Sequence, residues 1–131
     1  MSAYARGLFG SAAAFNLVVG GGLLFARSWL ASTLSLDPIQ GTSLVLANLT
    51  GAMIVVFGLA YACVARDPVE YRPFVGLGAL GKAMAVACAV VPWLMGAIPS
   101  TLPALMGADL VFAALFLDYL RRAPRATAAA A

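Results

Sequence analysis

Two side chains here are chemically out of place, Lys82 and Asp109. Lys82 is the only lysine, and it stands inside an unbroken apolar run over 74–95; Asp109 sits alone among acids in the middle of the next apolar segment. An ionisable group at the centre of a membrane span costs about 2.5–3.5 kcal/mol on insertion scales, so it is normally kept by a partner or by a task. Brought together, an amine and a carboxylate can do one of two things. They can form a buried ion pair that fixes how two helices pack, without necessarily adding net stability. Alternatively they can form a protonatable site that anchors a ligand or passes a proton, because low dielectric disfavours whichever charge loses its partner. Asn16 is the third polar residue deep in an apolar segment, and Asn48 the fourth. For both, interhelical hydrogen bonding is the simpler reading.

Elements able to hold such a pair must be spans. Of 131 residues, 63% are hydrophobic and 10% charged, and the mean hydropathy is +0.98. Soluble domains carry charge on about a quarter of their residues. Hydrocarbon is therefore the solvent for most of this chain, and it has room for about four spans of roughly 20 residues. The expected fold is an all-α, antiparallel four-helix transmembrane bundle forming one unit, with spans near 7–26, 44–65, 74–95 and 104–120. The tail at 123–131 is expected to be disordered. Arg6 and the apolar stretch after it have the outline of a signal peptide. That stretch is too long, is interrupted by Asn16 and lacks a small-x-small site before Arg27, so a retained first span is expected.

The connections are of three kinds. Between the first two spans lies the longest, in which Trp29, Leu30, Leu34 and Leu36 are interleaved with serines and a threonine before Asp37-Pro38. A short helix on the membrane surface is expected there, at 28–36. The second connection, 66–73, holds four charges and two prolines and reads as a water-exposed turn. The third, 96–103, is an uncharged turn. Pro92 is expected to kink or fray the end of the third span.

With an even number of spans, both termini and the second connection share one side. That side holds Arg6, Arg66, Arg72, Arg121, Arg122 and Arg125, while Arg27 stands alone opposite. The positive-inside rule then places both termini in the cytoplasm.

Depth follows from a rise of about 1.5 Å per residue. Counted from the cytoplasmic boundary, Lys82 is roughly 13 Å deep, Asn16 roughly 15 Å, Asp109 roughly 18 Å and Asn48 roughly 27 Å. Three of the four share a layer. On a helical wheel Lys82 lies with Gly78, Gly81, Ala85 and Ala89, opposite Leu77, Leu80, Met84 and Val91. Small residues mark the packed face of a membrane helix, so Lys82 should point inward. Asp109 groups with Leu105, Phe112, Ala113 and Phe116, Asn16 with Ala12, Ala13 and Gly20, and Asn48 with Gly51, Ala52 and Val55. Asp118 falls opposite Asp109, one turn from the end and beside Arg121 and Arg122, and reads as a solvated ion pair.

Other chemistries lack their residues. There is no histidine, the two cysteines (Cys63 and Cys88) have no CxxC or metal-ligand spacing, and no glycine-rich phosphate loop or Ser-His-Asp set occurs. Cys63 and Cys88 read as buried small hydrophobes, and Gly20-Gly21-Gly22 as a flexible point or a close helix contact. No cofactor, no metal and no nucleic acid is expected, and an enzyme carrying its own chemistry is disfavoured.

The strings Ala65-Arg66-Asp67-Pro68, Leu77-Gly78-Ala79-Leu80-Gly81-Lys82 and Ala108-Asp109-Leu110-Val111-Phe112-Ala113-Ala114-Leu115-Phe116 resemble recurring elements of small bacterial four-span proteins grouped with the DoxX-like proteins. The resemblance implies a four-helix bundle in a bacterial cytoplasmic (inner) membrane, associated in some members with redox or quinone-linked partners. It carries no catalytic motif onto particular residues here. Together these readings lead to a non-enzymatic accessory or assembly subunit, or a binder of a lipophilic molecule. Its expected partners are the lipid bilayer and a membrane protein or a second copy of the chain. The competing expectation is a proton-linked transporter or channel using Lys82, Asp109 and Asn16 at its midplane.

Overall fold

The computed structural model describes residues 3–122, so the tail at 123–131 lies outside the described residues. Four long helices are present: α1 (Ala3–Phe25), α3 (Thr42–Arg66), α4 (Arg72–Leu94) and α5 (Thr101–Arg122), with a short α2 (Arg27–Thr33) after the first. Each long helix is apolar enough to cross a membrane. At 22 to 25 residues they are about 33–38 Å long, against about 30 Å of hydrocarbon. The chain is a multi-pass, all-helical membrane protein, and its four spans form the expected bundle.

Every long helix starts before its expected apolar segment; α3 and α5 also end after theirs, whereas α1 and α4 stop one residue short. Arg72 and Pro73, expected in a connection, begin α4, and Pro103, expected in the third turn, lies in the first turn of α5. Proline suits a first turn because the donor it lacks would have had no intrahelical partner there. Pro92 does not break α4, which continues to Leu94. Two helices instead stop by one device. After α4, Gly96 N donates to the Trp93 carbonyl and Ala97 N to the Pro92 carbonyl, both at 2.9 Å; Gly96 has φ 72°. This is a Schellman stop with glycine in the left-handed position. The surface helix expected at 28–36 ends earlier, at Thr33, by the same pattern. Ser35 N reaches the Ser32 carbonyl, Leu36 N the Ala31 carbonyl, and Ser35 takes φ 54°.

Around the bundle, α1 packs on α3 and α4 on α5, while α3–α4 and α1–α5 contacts close the ring more loosely. The α1–α3 seam is tight because Gly20, Gly51 and Gly58 line it. A Cβ on Gly20 would lie 2.8 Å from the Gly51 carbonyl oxygen, and one on Gly58 would lie 3.2 Å from Asn16 Cβ. Of the glycine triplet, Gly20 alone makes so close a contact; a Cβ on Gly21 would meet nothing within 4 Å. The helix is continuous through all three, so they serve packing and not a break.

Packing is uneven along the bundle axis. The half nearer the termini is filled by Leu8, Phe9, Ala12, Val64, Val75 and Phe116, all buried. Phe9 meets Phe116 at a tilt, ring centroids 5.0 Å apart, and Tyr119 edge to face at 5.1 Å, and Tyr61 meets Phe116 edge to face at 5.1 Å. Arg72 ties this end together by donating from Nη2 to the Leu120 carbonyl at 2.8 Å, capping α5. The half nearer α2 is more open.

Candidate intramembrane binding site

Where the packed half meets the open one, Lys82 and Asp109 form an ion pair through Asp109 Oδ1. Their side chains are 5% and 14% exposed, so the pair is withdrawn from solvent. Lys82 Nζ also donates to Asn16 Oδ1 at 3.0 Å. Asn16 is oriented from its other end, where Nδ2 donates to the Ile54 carbonyl of α3 at 3.3 Å. A helical carbonyl has a second lone pair available for this bond. One hydrogen-bonded chain thus runs through all four spans: Ile54 on α3, Asn16 on α1, Lys82 on α4 and Asp109 on α5.

Helical spacing explains the inward aim of each group. Gly78, Ala79 and Ala89 are buried with Lys82, whereas Leu77, Leu80, Met84 and Val91 are each more than half exposed. Ala12, Ala13 and Gly20 are buried with Asn16, and Ala113 and Phe116 are buried on the Asp109 face of α5. Asn48 stands apart. It is exposed near the start of α3 and does not line the site. Asp118 pairs with Arg122 Nε at 2.8 Å on the surface.

The aromatic surroundings of the ammonium are not legible in the sequence. Lys82 Nζ lies 5.7 Å from the centroid of Phe15, 5.4 Å from Tyr61 and 5.2 Å from Phe112. Each distance is within the roughly 6 Å at which a ring quadrupole attracts a cation, and the attraction strengthens when water is excluded. These rings come from three different helices. Phe112 was already grouped with Asp109 by periodicity, but nothing local distinguishes Phe15 or Tyr61 from lipid-facing aromatics. Gly78 makes room for Tyr61, since a Cβ there would sit 2.6 Å from its Cε1.

Above this cluster is a cavity of about 550 Å³ reached by residues of all four spans. Lys82, Asp109, Asn16 and Tyr61 form its polar end, and its walls are apolar, among them Val19, Ile54, Leu105 and Met106. Its rim lies in the loose seam between α3 and α4, where Leu49 and Met53 are 58% and 49% exposed. Cys88 is also exposed and lines this rim. The expectation that both cysteines are buried is therefore corrected: Cys63 is half-buried and Cys88 exposed. Cys88 lies on the side of α4 turned to the seam, where α3 does not close over it.

A concave apolar chamber with a few converging polar groups is the usual form of a small-molecule site, and 550 Å³ is within the usual range of about 300–1,000 Å³. No protein-family model, curated protein or solved structure matches this chain, so the reading of the site rests on its geometry.

Proposed function

We propose that this chain is a small non-enzymatic protein of a bacterial cytoplasmic membrane that binds a lipophilic molecule within its bundle, as an accessory subunit to membrane-bound partners. The arginine imbalance supports an orientation with both termini in the cytoplasm. The observation that carries the reading is the apolar cavity closed at one end by the Lys82, Asp109 and Asn16 cluster. A pair serving only to pack helices would be expected inside a filled core. Here it borders open volume.

Binding is favoured over proton-linked transport by the packed half of the bundle. Phe9, Phe116, Tyr61 and Tyr119 fill the space between the ion pair and the terminal end. A carrier would have to move this plug, and four short spans offer little machinery for alternating access.

Purification in a mild detergent, followed by extraction and mass spectrometry of co-purifying small molecules, tests the proposal. A lipophilic species enriched with wild type and depleted with Ala85→Trp, which fills the cavity, is expected. Equal recovery from both proteins would sink it. Proton or solute flux in vesicles that disappears with Lys82→Met would favour transport instead.

A further inference from the structure

Building on the lipophilic-binding reading, we infer the class of ligand and its route: a neutral, single-chain amphiphile with a hydrogen-bond-accepting head enters sideways from the membrane between α3 and α4 and places its head against Lys82.

The head group follows from counting donors and charges. An ammonium has three N–H donors. Asp109 and Asn16 take two of them, and among the described residues no third acceptor lies within hydrogen-bond distance. One donor is left without an oxygen acceptor, on an ammonium that lines the polar end of the cavity. The pair itself sums to zero charge. A carboxylate or phosphate head would bring a second anion beside Asp109, and an amine head a second cation beside Lys82. Either would be an uncompensated charge in a low-dielectric space. A hydroxyl, ester or ketone oxygen meets the free donor and adds no charge.

The chain follows from the volume. At about 30 Å³ for a water-sized group, 550 Å³ holds about 18 such groups. That matches one alkyl chain with a small head.

The route follows from the rim. Met53 is about 16 Å along α3 from Thr42, and Cys88 about 9 Å from the end of α4. Both lie within the stretch that hydrocarbon covers, and the exposed rim residues Leu49, Thr50, Met53 and Cys88 are, apart from the Thr50 hydroxyl, apolar or weakly polar. The opening therefore faces lipid tails, where an amphiphile is already dissolved.

The test uses the full chain in liposomes at pH 7, with four 16-carbon probes that carry a mid-chain diazirine and differ only in head: alcohol, carboxylate, amine or none. After irradiation, labelled cavity-lining residues are mapped by peptide mass spectrometry. The alcohol probe should label the cavity at least about tenfold more than the other three, as expected for one hydrogen bond to a charged donor. With Lys82→Met that preference should vanish while the headless probe still labels. With Cys88→Trp at the rim, labelling by every probe should fall. Equal labelling by all four probes, or a preference for the carboxylate or amine, overturns the head-group inference and leaves the lipophilic-binding reading standing. Unchanged labelling of Cys88→Trp overturns the lateral route. No cavity labelling by any probe overturns both the inference and the reading beneath it.

Discussion

Replacing Asp109 by Asn tests the central cluster most directly, because it removes one charge and keeps the shape. In wild type the Lys82 ammonium is held by Asp109, by Asn16 Oδ1 at 3.0 Å and by three rings within 5.7 Å. Breaking a buried pair by removing one partner costs about 3–5 kcal/mol, mostly from the charge left behind. Two features pull this case toward the lower end. The remaining rings each contribute about 0.5–2 kcal/mol to a desolvated cation, and Asn16 still accepts one of its donors. The expected loss for Asp109→Asn is about 3 kcal/mol. Adding Lys82→Met removes the stranded amine, and the double variant should regain about 2 kcal/mol relative to the single one. The assay is reversible unfolding in mixed micelles followed by the fluorescence of Trp29 and Trp93, with all four corners of the cycle measured. Additive losses, with a coupling below about 0.5 kcal/mol, would refute the claim that the two residues act as a pair.

Three further outcomes are expected. Gly78→Ala drives a methyl to 2.6 Å from Tyr61 Cε1 and should destabilise by about 1–3 kcal/mol in the same unfolding assay; Tyr61→Leu in that background should relieve part of the strain, and wild-type stability of Gly78→Ala would contradict the contact. Gly20→Ala must push α1 from α3, because its Cβ would lie 2.8 Å from both the Gly51 oxygen and Val55 Cγ2, whereas Gly21→Ala meets nothing within 4 Å. The first should therefore lower thermal stability clearly and the second stay within about 0.5 kcal/mol of wild type. Asp118→Asn removes an ion pair whose arginine is 79% exposed, and a change of under about 0.5 kcal/mol is expected, with a larger loss showing that this acid does more than sit at the surface.

Much of the architecture was legible because it depends on local quantities. Hydropathy summed over a window located four spans, since transfer to hydrocarbon is nearly additive along a helix. The 100° step between residues turned Lys82, Asp109 and Asn16 inward, since a face rich in alanine and glycine is the one that other helices approach. The helix ends were less legible. Arg72-Pro73 and Pro103 read as turns because they are polar or rigid, yet a first helical turn tolerates both. Leu34 and Leu36 continued the apolar alternation beyond a stop that Ser35 and its neighbours form through backbone bonds.

By itself the sequence determined the solvent, the number of spans, the layer shared by three polar groups and the direction in which they point. Only the tertiary structure decided what surrounds them. Phe15, Tyr61 and Phe112 come from different helices, and their convergence on Lys82 depends on rotation and tilt that no single segment encodes. The cavity is likewise a property of differences between seams: glycines draw α1 and α3 together, α4 and α5 close on each other, and the α3–α4 seam stays open. Burial of an aromatic or a cysteine depends on whether a neighbour covers it, and that is settled between helices, not along one.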